Sequence, residues 1–210
     1  MVKLFFFNRL IGFAVLILLF DVSVGSAQNA GIRLLRNING ERTSSLDGPM
    51  IALTNSVYPI SAAIPVTELI AGYTRRDKKL LAYGLQTTAG FALNTILTFG
   101  MKYAVNRPRP YKTYTGIHNY QNDLDPSFPS GHSSFAFCSA TSLCLVWPRW
   151  YVIAPSFAWA AAAGYSRLYL GMHYPGDVLA GAVSGAGSAF LSLLGNRYLQ
   201  YRKYKRDFIL

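Results

Sequence analysis

Along this chain, long stretches without a single charged residue alternate with short joins that carry nearly all the charge. After a polar stretch over residues 31–47, charge-free segments run over 49–67, 80–101, 133–148, 150–166 and 178–196. Each approaches or reaches the roughly 20 residues that a helix needs to cross a bilayer, although 133–148 and 150–166 are short for it. The pattern predicts five membrane helices. A sixth is added if the N-terminal apolar run over residues 10–20 is kept: Lys3 and Arg9 precede it, and Gly25 and Ala27 stand before Gln28 as the small residues of an export-signal cleavage site do. The expectation is a signal peptide over residues 1–27 followed by one membrane domain over 28–210, the alternative being a retained first transmembrane helix. Either way, residue 30 lies outside the cytoplasm.

Composition agrees with the membrane reading, since 51% of the 210 residues are hydrophobic and 14% charged, well on the apolar side of an average soluble domain. The net charge of +11 raises a nucleic-acid partner as an option. The option is excluded, because the Lys and Arg residues lie between apolar segments instead of clustering on one element with a recognisable nucleic-acid motif. Cys138 and Cys144 fall in one charge-free segment, six positions apart, and on a helix that spacing points them away from each other. Neither a disulfide nor a metal site follows; they read as small apolar residues of a buried helix.

The charges assign a topology. With the start of the first segment outside, Arg75, Arg76, Lys78 and Lys79, then Arg149, then Arg197, Arg202, Lys203, Lys205 and Arg206 all fall on the inner side, as the enrichment of short cytoplasmic loops in Lys and Arg requires. The opposite ends carry Lys102, Arg109, His132, Arg167, His173 and Asp177. Cations on the outer side work against the topology rule, which marks them as candidates for chemistry. Gly181 and Gly185 give the last segment a G-x-x-x-G spacing with Ala182, Ala186 and Gly187 beside it; small residues let helices approach closely, and packing within the bundle is preferred to a dimer interface.

Three short stretches hold the candidate chemistry: Lys102 with Arg109-Pro110; Pro129-Ser130-Gly131-His132; and Ser166-Arg167 with His173 and Asp177. Three cations, two histidines and a carboxylate make a phosphate site with a nucleophile and an acid. If each of the eleven specified residues had a frequency of about 5%, one fixed alignment would arise by chance about once in 10^14. The stretches resemble the K-x6-R-P, P-S-G-H and S-R-x5-H-x3-D motifs of the type 2 phosphatidic acid phosphatase superfamily, which also contains bacterial acid phosphatases and vanadium haloperoxidases. Every specified position matches, over residues 102–177.

The resemblance implies an all-α, integral membrane helical bundle of five to six transmembrane helices with the active site at the outer face. It implies a metal-independent lipid phosphatase of the bacterial inner membrane, multi-pass and facing the periplasm. The substrate is then a phosphomonoester or pyrophosphate of a lipid: lipid A, undecaprenyl pyrophosphate, phosphatidylglycerol phosphate or phosphatidate. His173 becomes the nucleophile that forms a phosphohistidine, with Asp177 accepting a hydrogen bond from its other ring nitrogen, and His132 becomes the general acid and later the base. Lys102, Arg109 and Arg167 surround the phosphate oxygens, the two arginines offering bidentate forks. Ser130 and Gly131, just before an apolar run, are expected at a helix N-terminus with their amides toward the anion, although Ser130 as a plain helix cap and Gly131 as a plain turn also fit. Asp177 is alternatively the N-cap of the last helix, and Pro175-Gly176 predict a turn between it and His173.

His118 belongs to no motif and reads as a solvated loop residue, while Arg107, Lys112, Tyr111, Tyr114 and Tyr120 of the same loop suit either a headgroup or the bilayer interface. No metal and no cofactor are expected, since the chain has no H-E-x-x-H and only nine acidic residues. Two other functions fit parts of the pattern: a soluble periplasmic acid phosphatase of the same superfamily, and a non-catalytic lipid-binding membrane protein.

Overall fold

A computed structural model describes residues 24–207, all of its regular elements being helices. In chain order these are α1 (Val24–Gly40), α2 (Ser44–Thr74), α3 (Lys78–Val105), α4 (Pro110–Thr113), α5 (Gly131–Val146), α6 (Trp150–Tyr169) and α7 (Pro175–Asp207). Residues 1–23, most of the expected signal peptide or first span, lie outside the described residues.

Four of the five charge-free segments fall within helices that outrun them, while the helix over the third ends at Val146, short of Trp147 and Pro148. α2 reaches Ser44 and Thr74, and α3 begins at Lys78, where the Asp77 carboxylate caps it by accepting from the Lys79 and Leu80 amides at 2.9 and 3.0 Å. The stretch over 31–47 is not simply a polar connection. Its first part is α1, whose Ile32, Leu35 and Asn39 are buried while Arg33 and Arg36 face outward. That is helical periodicity hidden by a polar average.

Among the described residues, α2 and α7 are long and apolar enough to cross a membrane by composition alone, with mean hydropathy of 1.2 and 1.6. Two of the other long helices fall short of that standard for a physical reason. α5 has 16 residues, and α3 carries Gln86, Thr87, Asn94 and Thr98, all turned inward. Within the bundle these side chains bind one another: the Ser134 hydroxyl meets Asn94 Oδ1 at 2.5 Å, Thr98 Oγ1 at 2.9 Å and Ser184 Oγ at 3.3 Å, and Ser61 meets Ser139 at 2.8 Å. Polar groups inside and Ile70, Leu85, Ile96, Val183, Phe190 and Leu199 outside invert the arrangement of a water-soluble bundle.

The hub is α5, which packs against α2, α3, α6 and α7. It can do so because its buried positions are Gly131, Ser133, Ser134, Ala136, Cys138, Ser139, Ala140, Thr141, Ser142 and Val146, mostly small. Across from it, a Cβ on Gly181 would lie 2.5 Å from the Ser130 carbonyl oxygen, and one on Gly185 would overlap the Ser134 carbonyl. The G-x-x-x-G stripe therefore seats α7 on α5, inside the bundle as expected from sequence, and both cysteines are free. Gly185→Ala is expected to destabilise the fold by about 1–3 kcal/mol through overpacking. Gly195→Ala, with nothing within 4 Å of the added carbon, should be neutral or slightly stabilising; thermal unfolding in detergent compares the two.

Candidate active site

The long helices alternate in direction, so one end of the bundle gathers the C-termini of α3 and α6 with the N-termini of α2, α5 and α7. All three sequence stretches sit at that end, and α1 packs beside it through Ile32, Leu35, Ile117, Leu168 and Tyr174. Asn39 anchors this layer: its amide donates to the carbonyls of His118 and Tyr169 at 2.9 and 2.8 Å and its oxygen accepts the His118 amide at 2.7 Å. The His118 side chain is exposed.

The distance between Arg167 and His173 is set by the backbone. Arg167 occupies the last turn of α6, and Leu170 caps the helix. Gly171 then takes φ +67, a left-handed conformation that glycine adopts freely. The Met172 amide reaches back to the Arg167 carbonyl and the Gly171 amide to the Leu168 carbonyl, both at 2.9 Å. This is a Schellman closure. The chain leaves it at His173 and enters α7 at Pro175, the favoured first helical residue. Asp177 reaches back to accept the Tyr174 amide at 3.1 Å, so it is not the N-cap of α7. It stands at the third helical position as the returning acid of a capping box.

A pocket of roughly 190 Å³ opens at this end, lined by Tyr58, Lys102, Arg109, Gln121, Asp123, Asp125, Gly131, His132 and His173. Lys102, Arg109, Arg167 and His173 are at most 4% exposed. His132 packs against Tyr58 with ring centres 4.6 Å apart and planes tilted by 60°. Arg167 donates to Thr54 Oγ1 at 2.8 Å, while its Nε and Nη2 are buried without a hydrogen-bond partner among the described residues, an arrangement that awaits an acceptor.

His173 Nε2 lies 3.3 Å from Arg109 Nη1, which also donates to the Met172 carbonyl at 3.0 Å. A guanidinium only donates, so the Nε2 it faces is the unprotonated, lone-pair nitrogen, and the ring proton sits on Nδ1. Burial pushes the His173 imidazole down to about 4 despite the opposing pull of Asp177, which keeps it neutral at ordinary pH.

The expected direct hydrogen bond from His173 to Asp177 is replaced by a longer arrangement. Nδ1 is 3.6 Å from Asp177 Oδ2. Between them stands Ser127, whose hydroxyl donates to that same oxygen at 2.5 Å and lies 3.4 Å from Nδ1. Arg107 binds the other carboxylate oxygen at 2.8 Å and stacks on Tyr174 at 3.8 Å. Asp177 is thus shared by a histidine, a serine, an arginine and a backbone amide.

Ser130 departs from its expected role. Its amide donates to the Asp177 carbonyl at 2.9 Å, and its side chain caps α5 by accepting from the Ser133 amide and hydroxyl at 3.4 and 3.0 Å. The amides left without an acceptor among the described residues are those of Gly131 and His132, the first two of α5. They hold the position where a helix favours an anion.

The sequence reading gave Arg107 to a headgroup and not to Asp177, its partner here, and it missed Ser127, Asp123 and Asp125. The last two already occupy the cations: Asp125 meets Lys102 at 2.8 Å and Arg109 at 2.6 Å, and Asp123 meets Arg109 at 3.0 Å and Arg167 at 3.8 Å. Burial raises the Asp125 carboxyl, but the hydrogen bond from Lys102 and the charges of Arg109 and Lys102 outweigh it and hold the group down to about 2. Tyr111 and Lys112 serve this same loop, binding the Asp123 backbone.

Residues 80–201 match the family described as PAP2 superfamily. The chain belongs to the PAP2 superfamily. A protein of Sulfolobus acidocaldarius named undecaprenyl-diphosphatase is 32% identical over 174 residues, 81% of each chain, and a lipid A 4'-phosphatase of Bacteroides thetaiotaomicron is 46% identical over 65 residues, 30% of this chain and 28% of that one. A transmembrane PAP2-type phosphatidylglycerolphosphate phosphatase from Bacillus subtilis superimposes with TM-score 0.70 at 25% identity, over 94% of this chain and 96% of that one. LpxE of Aquifex aeolicus does so with TM-score 0.66 at 29% identity, covering 78% and 94%. The chain is accordingly a phosphatase of the membrane lipid-phosphatase kind, all-helical and membrane-embedded.

Proposed function

We propose that this PAP2 protein is a multi-pass lipid phosphatase of the bacterial inner membrane, with five membrane helices in one domain over residues 28–210, and that it works by a phosphohistidine at the periplasmic face. The observation that carries this is a single pocket at one end of the bundle lined by the buried cations Lys102 and Arg109 and by His173 with its lone-pair Nε2, the buried Arg167 facing the pocket residue Asp123 at 3.8 Å. Orientation is supported by the opposite end, where Arg75, Arg76, Lys78, Lys79 and Arg149 are exposed beside Trp147, Trp150 and Tyr151, the cationic and aromatic signature of a cytoplasmic interface. The exposed apolar surface speaks against the soluble periplasmic alternative.

In this mechanism the phosphate oxygens bind Lys102, Arg109, the free edge of Arg167 and the Gly131 and His132 amides. Nε2 of His173 attacks phosphorus in line, and the P–O bond to the leaving group breaks as His132 gives it a proton. Burial, then the charges of Arg167, Arg109 and Lys102, push the His132 imidazole down in the free site; the substrate's two negative charges offset those cations and favour the protonated His132 that this step needs. Ser127 and Asp177 hold the cation that develops on His173. A water then gives its proton to His132 and attacks phosphorus, the N–P bond breaks, and orthophosphate leaves. Three side-chain cations supply the charge neutralisation for which many phosphatases use metal ions.

The test is phosphate release in detergent from undecaprenyl pyrophosphate, lipid A, phosphatidylglycerol phosphate and phosphatidate with EDTA present. Activity on at least one, undiminished by EDTA, is expected; none on any would overturn the proposal. The pH profile carries a sign. The acid limb of kcat/KM follows the substrate phosphate, whose second ionisation lies at about 6. Protonation of free His173 removes the nucleophile, and burial delays that protonation to about 4, so the His173 ring, followed by NMR in the substrate-free protein, should titrate near 4 and not in the ordinary histidine range around 6.5. A ring titration centred near 6.5 would contradict a buried His173 nucleophile. On the basic side kcat should decline as His132 loses its proton, giving a bell.

A further inference from the structure

The two carboxylates that occupy the pocket match a phosphate monoester in number. Three of their oxygens touch the cations: Asp125 Oδ1 on Arg109, Asp125 Oδ2 on Lys102, and Asp123 Oδ2 on Arg109 and Arg167. Together they carry two negative charges. A phosphomonoester dianion likewise presents three non-bridging oxygens and two charges. A phosphodiester presents two such oxygens and one charge. From this correspondence, and resting on the phosphate-site reading above, we infer that Asp123 and Asp125 are specificity-determining residues that admit dianionic monoester and pyrophosphate groups and exclude the phosphodiesters of ordinary membrane lipids.

The physical need is clear in a bilayer. An outward pocket with three unopposed cations would face anionic phospholipid at very high local concentration, and a diester headgroup would fill it. With the carboxylates in place, entry is an exchange. A dianion restores both charges and all three oxygen contacts that the carboxylates give up, so the exchange is close to balanced. A diester restores one charge and two contacts, and the exchange fails by a charge left uncompensated in a desolvated site, which is costly. The device requires carboxylates that stay ionised, and the cations around Asp125 secure that.

The loop is built both to present and to release them. Asp123 is held by its backbone, the amide on Tyr111 Oη at 2.9 Å and the carbonyl on Lys112 Nζ at 3.0 Å. The Asp125 side chain is 41% exposed on its outer edge although its cation partners are buried. Its carbonyl accepts Arg109 Nε at 3.1 Å, and the neighbouring Pro126 carbonyl accepts Lys102 Nζ, so the main chain stays docked while the carboxylate swings outward. The outer loop position thus serves exchange with solvent and headgroups.

The experiment is equilibrium binding of orthophosphate to detergent-solubilised protein, with and without phosphatidylglycerol, a phosphodiester, in the micelle. In the parent, phosphatidylglycerol should leave orthophosphate binding unchanged within twofold. In Asp123→Asn/Asp125→Asn, orthophosphate should bind about tenfold more tightly or better, and phosphatidylglycerol should now compete, weakening it at least tenfold. Should the double variant lose its fold, each single variant is expected to show the same two changes at smaller size. Orthophosphate binding that weakens in the variants, or continued indifference to phosphatidylglycerol, would overturn the inference and leave the carboxylates as mere spacers for the cations. Failure of the phosphate-site reading looks different: parent and Arg167→Lys would then bind orthophosphate equally.

Discussion

Replacing His173 by asparagine should lower phosphate release by at least about 10^4-fold while orthophosphate binding stays within a few-fold of the parent. Asparagine keeps a polar group near Ser127 and Asp177 but offers no basic nitrogen at the Nε2 position, so the covalent step is lost. Lys102, Arg109, Arg167 and the α5 amides remain to hold the anion, and binding should survive for that reason. Loss of a nucleophile in comparable multi-residue sites costs roughly 10^4 to 10^6 in kcat. A drop of less than tenfold would mean that water attacks phosphorus directly and that His173 is not the nucleophile. A second readout is protein quenched in alkaline detergent after brief turnover: the parent should carry phosphate that survives base and is released by acid, and the asparagine variant none.

Arg167→Lys should reduce kcat/KM by about 10^2- to 10^3-fold with the fold intact. The guanidinium is 1% exposed and tied at one corner to Thr54, leaving Nε and Nη2 aimed without partners. Lysine preserves the charge, so long-range attraction is kept. It cannot hold Thr54 and also present two parallel donors, and two charge-assisted hydrogen bonds at about 1.5–3 kcal/mol each account for the loss. The decline should appear in KM as well as in kcat, because the two bonds already hold the bound phosphate and tighten as charge develops in the transition state. An unchanged kcat/KM with a lowered unfolding midpoint in detergent would show that Arg167 serves the α6–α2 contact alone.

Spacing made most of this site legible. Lys102, Arg109, His132, Arg167 and His173 were all visible in the sequence because their residue types are rare at fixed separations and the helices bring fixed separations together. Roles that depend on where an amide or hydroxyl points were less legible: Ser130 looked like an anion contact and proves to be a cap whose N–H belongs to Asp177, and Ser127 carried no signal beyond its closeness to the second stretch. Asp123 and Asp125 were present as a clue, two of only nine acids in a chain of net charge +11, placed between the first two stretches. Scarce acids carry no signal for a metal site, and the pairing of Asp125 with Lys102 and Arg109 shows only in three dimensions. α1 escaped because hydropathy averaged over a window hides an amphipathic helix, and the polar seam of α3 and α5 escaped because the same average cannot tell an inward serine from an outward one.

The turn at Gly171 gives the numeral in S-R-x5-H a meaning. Backbone hydrogen bonds from Met172 and Gly171 into the end of α6 fix how far His173 stands from Arg167. The five intervening positions therefore act as a gauge block: its length is the tolerance to which nucleophile and phosphate clamp are machined, and the buried Tyr169, Leu170 and Met172 are the seat that keeps it from shifting.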